Sequence, residues 1–114
     1  MEIIRAKGHE LGHHGYIHRN PANLEIDTER RMLQKGFDAF NKVLGIKPVG
    51  FRSPGGDFSP NSWALFKSLG FQWVSSLMKD DFNPYLLTDL FPDSQLVELP
   101  FSYEFDNAPY FLFL

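Results

Sequence analysis

The sequence contains no cysteine. That excludes disulfides, thiolate nucleophiles and cysteine-ligated metal, while leaving either redox compartment open. No apolar run approaches the roughly 18 to 20 residues needed to cross a bilayer as a helix. No basic-then-apolar leader opens the chain, which leans the expected compartment toward the cytoplasm. There is no basic excess: 11 Lys+Arg stand against 14 Asp+Glu, a net charge of -3. A mildly acidic surface suits neither nucleic acid nor an anionic membrane. Histidine is absent after His18, so all four histidines fall between His9 and His18.

What is present is ordinary for a folded domain. The 114 residues are 43% hydrophobic, 16% aromatic and 22% charged, the length of one small domain and a composition that excludes long disorder. The ends carry an expectation of their own. Residues 2–7 read as the last turns of a helix capped at Gly8, too short to be stable alone. Tyr110-Phe111-Leu112-Phe113-Leu114 reads as an apolar strand that would invite aggregation if left as a free edge. Both features suggest a stretch from within a larger domain.

Between the ends the pattern alternates. His9 to His14 reads as a short strand entering a glycine-punctuated loop, and Asn20-Pro21 as a turn. A helix is expected from Thr28 to Leu44, with Asp27 as N-cap and Leu33, Phe37, Phe40 and Leu44 as the buried stripe. Gly45 ends it. Val49 to Arg52 is a short buried strand, and 53–57 a loop. Ser59 is expected to cap a second helix, with Pro60 at its first position and Trp63, Phe66 and Leu69 on its inner face. Phe71 to Ser75 is the next strand, Ser76 to Ser94 a long loop of the kind that tends to be functional, and Gln95 to Pro100 a last strand. Strand, helix, strand, helix, strand argues for an α/β fold with parallel β–α units.

Three segments carry chemistry. Within Gly8-His9-Glu10-Leu11-Gly12-His13-His14-Gly15-Tyr16-Ile17-His18, His14 and His18 are four apart. A helical turn would place both imidazoles on one side, able to grip one ion, and zinc suits such ligands. Arg52 ends a strand before a proline-stiffened loop. It would point into the usual active-site face of an α/β barrel, where its guanidinium could orient a carboxylate. Asp80-Asp81-Phe82-Asn83-Pro84-Tyr85 sets paired acids in a loop, suited to metal, to substrate hydroxyls or simply to solvent. Tyr103, Phe105 and Tyr110 fit core or interface better than a sugar platform.

Gly8 to Pro21, followed downstream by Phe51-Arg52-Ser53-Pro54, resembles the polysaccharide deacetylase family (the NodB homology domain, carbohydrate esterase family 4). His13-His14-Gly15-Tyr16-Ile17-His18, Arg52-Ser53-Pro54, Asp81-Phe82-Asn83-Pro84-Tyr85 and Leu96-Val97-Glu98-Leu99-Pro100 resemble its peptidoglycan-deacetylase-like subgroup, related to allantoinases and cyclic imidases. The resemblance implies a portion of a distorted (β/α) barrel, with residues 1–114 forming a partial domain. It implies zinc or another divalent first-row metal held by one aspartate and two histidines, the latter matching His14 and His18. Arg52 would orient the catalytic base, and Pro54, Asp81 and Tyr85 would lie toward substrate. The implied reaction is hydrolysis of an acetyl group on a glycan.

The chain departs from the family pattern at two points. No Thr-Phe-Asp-Asp-Gly strand precedes His9, and no leaving-group histidine follows His18. A small-amide hydrolase of the allantoinase or cyclic-imide type, and a non-catalytic metal- or glycan-binding fragment, are the alternative expectations. The apolar C-terminal run is also compatible with a homo-oligomer.

Overall fold

The computed structural model describes residues 1–76, 83–88, 92–101 and 111. Helix α1 (Glu2–Ala6) leads into the histidine segment, and helix α2 (Ile26–Leu44) follows it. Strand β1 (Gly50–Arg52), a 3-10 turn (Pro54–Gly56), helix α3 (Ser62–Leu69) and strand β2 (Trp73–Ser75) come next. Strands β3 (Tyr85–Leu86) and β4 (Val97–Glu98) complete the described elements. The sheet order is β1-β2-β4-β3. β1, β2 and β4 are parallel, as expected, while β3 lies antiparallel to β4.

The elements differ from expectation mainly at their edges. α2 begins at Ile26 with Glu25 in the capping position, so Asp27 lies inside the first turn. There its charge suits the positive end of the helix dipole. α3 begins at Ser62 behind Asn61. Ser59 still serves the turn ahead of it, its hydroxyl accepting from the Asn61 amide at 3.0 Å. The expected first strand at His9 to His14 reduces to one parallel bridge, His13 with Phe51. The expected loop from Ser76 to Ser94 contains β3. Of the C-terminal run, Phe111 is exposed. Tyr103, Phe105 and Tyr110 lie outside the described residues.

The core forms where α2 and α3 cover the sheet. Leu33 and Phe37 from α2 meet Phe51, Val74, Leu65, Phe66 and Phe71. Phe66 is fully enclosed, its ring 4.9 Å from Phe51 and 5.4 Å from Phe71. Phe40 is only half-buried, at the margin of the expected stripe. Burial of this kind contributes about 1.5 to 3 kcal/mol per large apolar side chain. A second tie is polar: the buried carboxylate of Glu29 in α2 accepts from the hydroxyls of Ser59 and Ser62 at the start of α3. Arg5 of α1 donates to the carbonyl of Leu44 at the end of α2. Among the described residues, no helix is long and apolar enough to cross a membrane.

Candidate functional site

The carboxyl ends of parallel strands are where open α/β sheets commonly place ligands. Here Arg52 and Ser75 sit side by side at the ends of β1 and β2. The histidine segment joins them from the other flank of β1. His13 N–H donates to Gly50 O at 2.7 Å, and Arg52 N–H donates to His13 O at 3.0 Å. His14 therefore leaves this one-residue bridge level with Arg52.

Gly15 then reverses the chain at a φ of +83°, where a Cβ would lie 2.8 Å from Ile17 O and 3.2 Å from the Pro54 ring. Residues 16–18 form a bend, not the expected helical turn. The two histidines nevertheless meet, with ring centroids 5.1 Å apart at 64°. Both are exposed. His14 Nδ1 lies 2.7 Å from the carbonyl of Arg52. A carbonyl can only accept, so Nδ1 carries the proton and Nε2 keeps its lone pair for a ligand. Metal-binding histidines characteristically make this second bond through their other nitrogen. Two imidazoles without thiolate suit zinc or a similar first-row ion, so these residues fit the implied metal as two of its ligands. Among the described residues, no group of three His, Cys, Asp or Glu side chains gathers around one point.

Arg52 is held from two sides. Its Nε and Nη2 donate to Ser75 Oγ at 3.2 and 2.8 Å, and the guanidinium lies 4.4 Å from the Phe101 ring centroid. Arg52 and His14 share an open cleft of about 450 Å³, lined also by Trp73, Ser75 and Leu99. Trp73 occupies the space left by two glycines: a Cβ on Gly50 would meet its ring at 1.9 Å, and one on Gly12 at 3.0 Å. Its indole N–H donates to Glu10 at 2.7 Å.

The other candidates are dispersed. Pro54 is buried and packs beneath the Gly15 turn, bracing the histidine loop and not lining the cleft. Tyr85 lies in β3, half-buried against the core. Asp80 and Asp81 lie outside the described residues. His9 is exposed on the approach from α1. His13 is buried with Nε2 at 3.1 Å from Leu33 O, and enclosure pushes its pKa down, with nearby His14 adding to the effect and the Leu33 carbonyl opposing it.

Ser75, Trp73 and Glu10 were not anticipated as site residues. Pairing of Phe51 with Val74 would have pointed to Ser75 as Arg52's neighbour, but register between distant strands is not written locally. Glu98 enters the sequence reading within a strand and within the Leu96-Val97-Glu98-Leu99-Pro100 segment, with no role of its own. It is fully buried in β4, and its Oε1 accepts from the Ser76 amide at 2.6 Å. Burial pushes its carboxyl up, against the opposing pull of the Ser76 hydroxyl and amide and of Arg52. A raised folded-state pKa means that the folded chain holds the proton longer than the unfolded one. Stability is then present below the ordinary carboxyl value of 4.5 and lost as pH climbs through the raised value. Glu98→Gln removes that loss. The stability difference in favour of the variant should widen from pH 4 to pH 7, at up to about 1.4 kcal/mol per pH unit while the carboxyl titrates. Urea unfolding at the two pH values measures it; a difference that stays constant or narrows would contradict the assignment.

The family model described as polysaccharide deacetylase matches residues 1–74. A peptidoglycan deacetylase of Helicobacter pylori is 36% identical over 85 residues, covering 75% of this chain and 29% of that protein. The crystal structure of a candidate polysaccharide deacetylase from Mycobacterium smegmatis superposes with a TM-score of 0.84 at 39% identity, covering 93% of this chain and 36% of that one. An allantoinase structure superposes at 0.73 with 22% identity over 89% of this chain and 33% of its own, a likeness of fold alone. The chain thus spans about a third of the length of these three proteins.

Proposed function

The chain belongs to the polysaccharide deacetylase family, and on that premise we propose that it forms the histidine- and arginine-bearing part of a distorted (β/α) barrel that deacetylates N-acetylated glycan or peptidoglycan. The observation that carries the reading is the bond from His14 to the Arg52 carbonyl. It ties His14 of the histidine segment to the first residue of the Arg52-Ser53-Pro54 turn, beside the cleft that His14 and Arg52 both line.

His14 and His18 would hold a divalent ion through their free ring nitrogens. When bound, such an ion lowers the pKa of a coordinated water and polarises a carbonyl. The net reaction adds water across the amide: the acetyl C–N bond breaks, acetate leaves and the sugar keeps a free amine. Arg52 is the positioning group of this stretch. Held by Ser75 and Phe101, its guanidinium presents a fixed positive charge beside the cleft, suited to orienting a carboxylate base. No residue of this chain is assigned as the base or as the acid for the leaving amine.

Acetate release from N-acetylglucosamine oligomers and peptidoglycan, measured beside ring opening of allantoin and a cyclic imide, tests the proposal with the full-length protein. Acetate release that is abolished by chelation and restored by a divalent ion is expected. Ring opening without acetate release would overturn the choice of substrate.

A further inference from the structure

We propose that His13 is a positioning residue whose imidazole locks the loop bearing His14 and His18 onto helix α2, with Gly36 as the socket that admits the ring. The role as a ligand support rests on the metal reading above, whereas the locking itself does not. His13 is 1% exposed, and both ring nitrogens are used. Nε2 lies 3.1 Å from the Leu33 carbonyl, so it must donate; Nδ1 accepts from the Gly15 amide at 2.9 Å. One neutral tautomer satisfies both bonds at once, which no apolar aromatic ring could do.

The bond to Gly15 closes a small turn with His14 at its apex. Its neighbours on either side are then fixed: His13 by the two backbone bonds to β1, and Gly15 by the imidazole. From that apex the His14 ring reaches the Arg52 carbonyl, with Nδ1 at 2.7 Å. The other end of the lock is in α2. A Cβ on Gly36 would meet His13 Nε2 at 1.9 Å, so only glycine lets the ring reach the helix carbonyl. Gly36 otherwise weakens a helix interior by roughly 1 kcal/mol against alanine. Its presence in a 19-residue helix is explained by the ring it accommodates.

Nitrogen NMR of the histidine rings tests this in the metal-free chain, at a pH where the rings are neutral. In the wild type, His14 should be held as the Nδ1–H tautomer and the Gly15 amide should exchange slowly. His13→Phe keeps an aromatic ring in the core but removes both bonds, so His14 should relax toward mixed tautomers and the Gly15 amide should lose protection. Gly36→Ala should do the same by expelling the ring, and should have no such effect in a His13→Ala background, where the added methyl has room. Cobalt affinity, read by chelator competition, should fall about 10- to 100-fold in both single variants, the usual effect of losing a support behind a ligand. Unchanged His14 signals and Gly15 protection in folded His13→Phe, or in Gly36→Ala should the former not fold, would overturn the proposal. A wild-type chain that shows the locked tautomer yet binds no cobalt would sink the metal reading and leave the lock standing.

Discussion

His14→Ala and His18→Ala are each expected to lower acetate release by about a thousandfold or more, to the background of the assay. The size follows from what the pair would do. Two exposed imidazoles with ring centroids 5.1 Å apart would be this chain's contribution to the ion. Losing either leaves one ligand here, too few to hold an ion in competition with water. The catalytic contribution that depends on that ion, worth several kcal/mol, is lost with it. Neither side chain supports the core, since both are exposed, so the variants should fold and unfold like the parent. Full activity in either variant would mean that the pair is a surface feature.

Arg52→Ala should behave differently, with turnover falling roughly a hundredfold while metal stays bound. A preorganised charged donor is typically worth about 10² to 10³ in rate. The His14 ring is oriented by the backbone carbonyl of residue 52, not by its side chain, so truncating the guanidinium leaves that bond in place. Arg52→Lys should recover little. Nε and Nη2 both reach Ser75 Oγ from one planar group, and a single ammonium on a flexible stem cannot reproduce that fork. Metal loss in Arg52→Ala would show that the side chain supports the ligands directly.

The parts of the fold legible in the sequence were those set by local periodicity. The stripe of Leu33, Phe37 and Leu44, ended by Gly45 in the left-handed region, marked α2 and its C-terminus. The apolar runs at Phe51 and Val74 marked the two central parallel strands. Helix starts were misplaced because several polar residues at each could cap: Glu25 precedes Asp27, and Ser59 serves a turn before Asn61. β3 is only Tyr85–Leu86, too short to carry a pattern and defined by its pairing with β4.

The site divided in the same way. The spacing of His14 and His18 and the place of Arg52 at a strand end were visible as motifs. The histidine pair was expected on a helical turn and instead meets across a bend, because Gly15 reverses the chain. Ser75 and the His13–Gly36 contact depend on pairing between residues far apart in the chain, which no local pattern records. Glu98 has no role in the sequence reading because burial of its carboxylate shows only once the sheet is assembled.

The most direct test is the metal content of the purified, dialysed full-length protein beside its His14→Ala/His18→Ala variant. The account predicts near-stoichiometric zinc or another divalent first-row ion in the first and none in the second. Equal metal in both, or none in the folded wild-type protein supplied with zinc, would contradict the assignment of His14 and His18 as metal ligands.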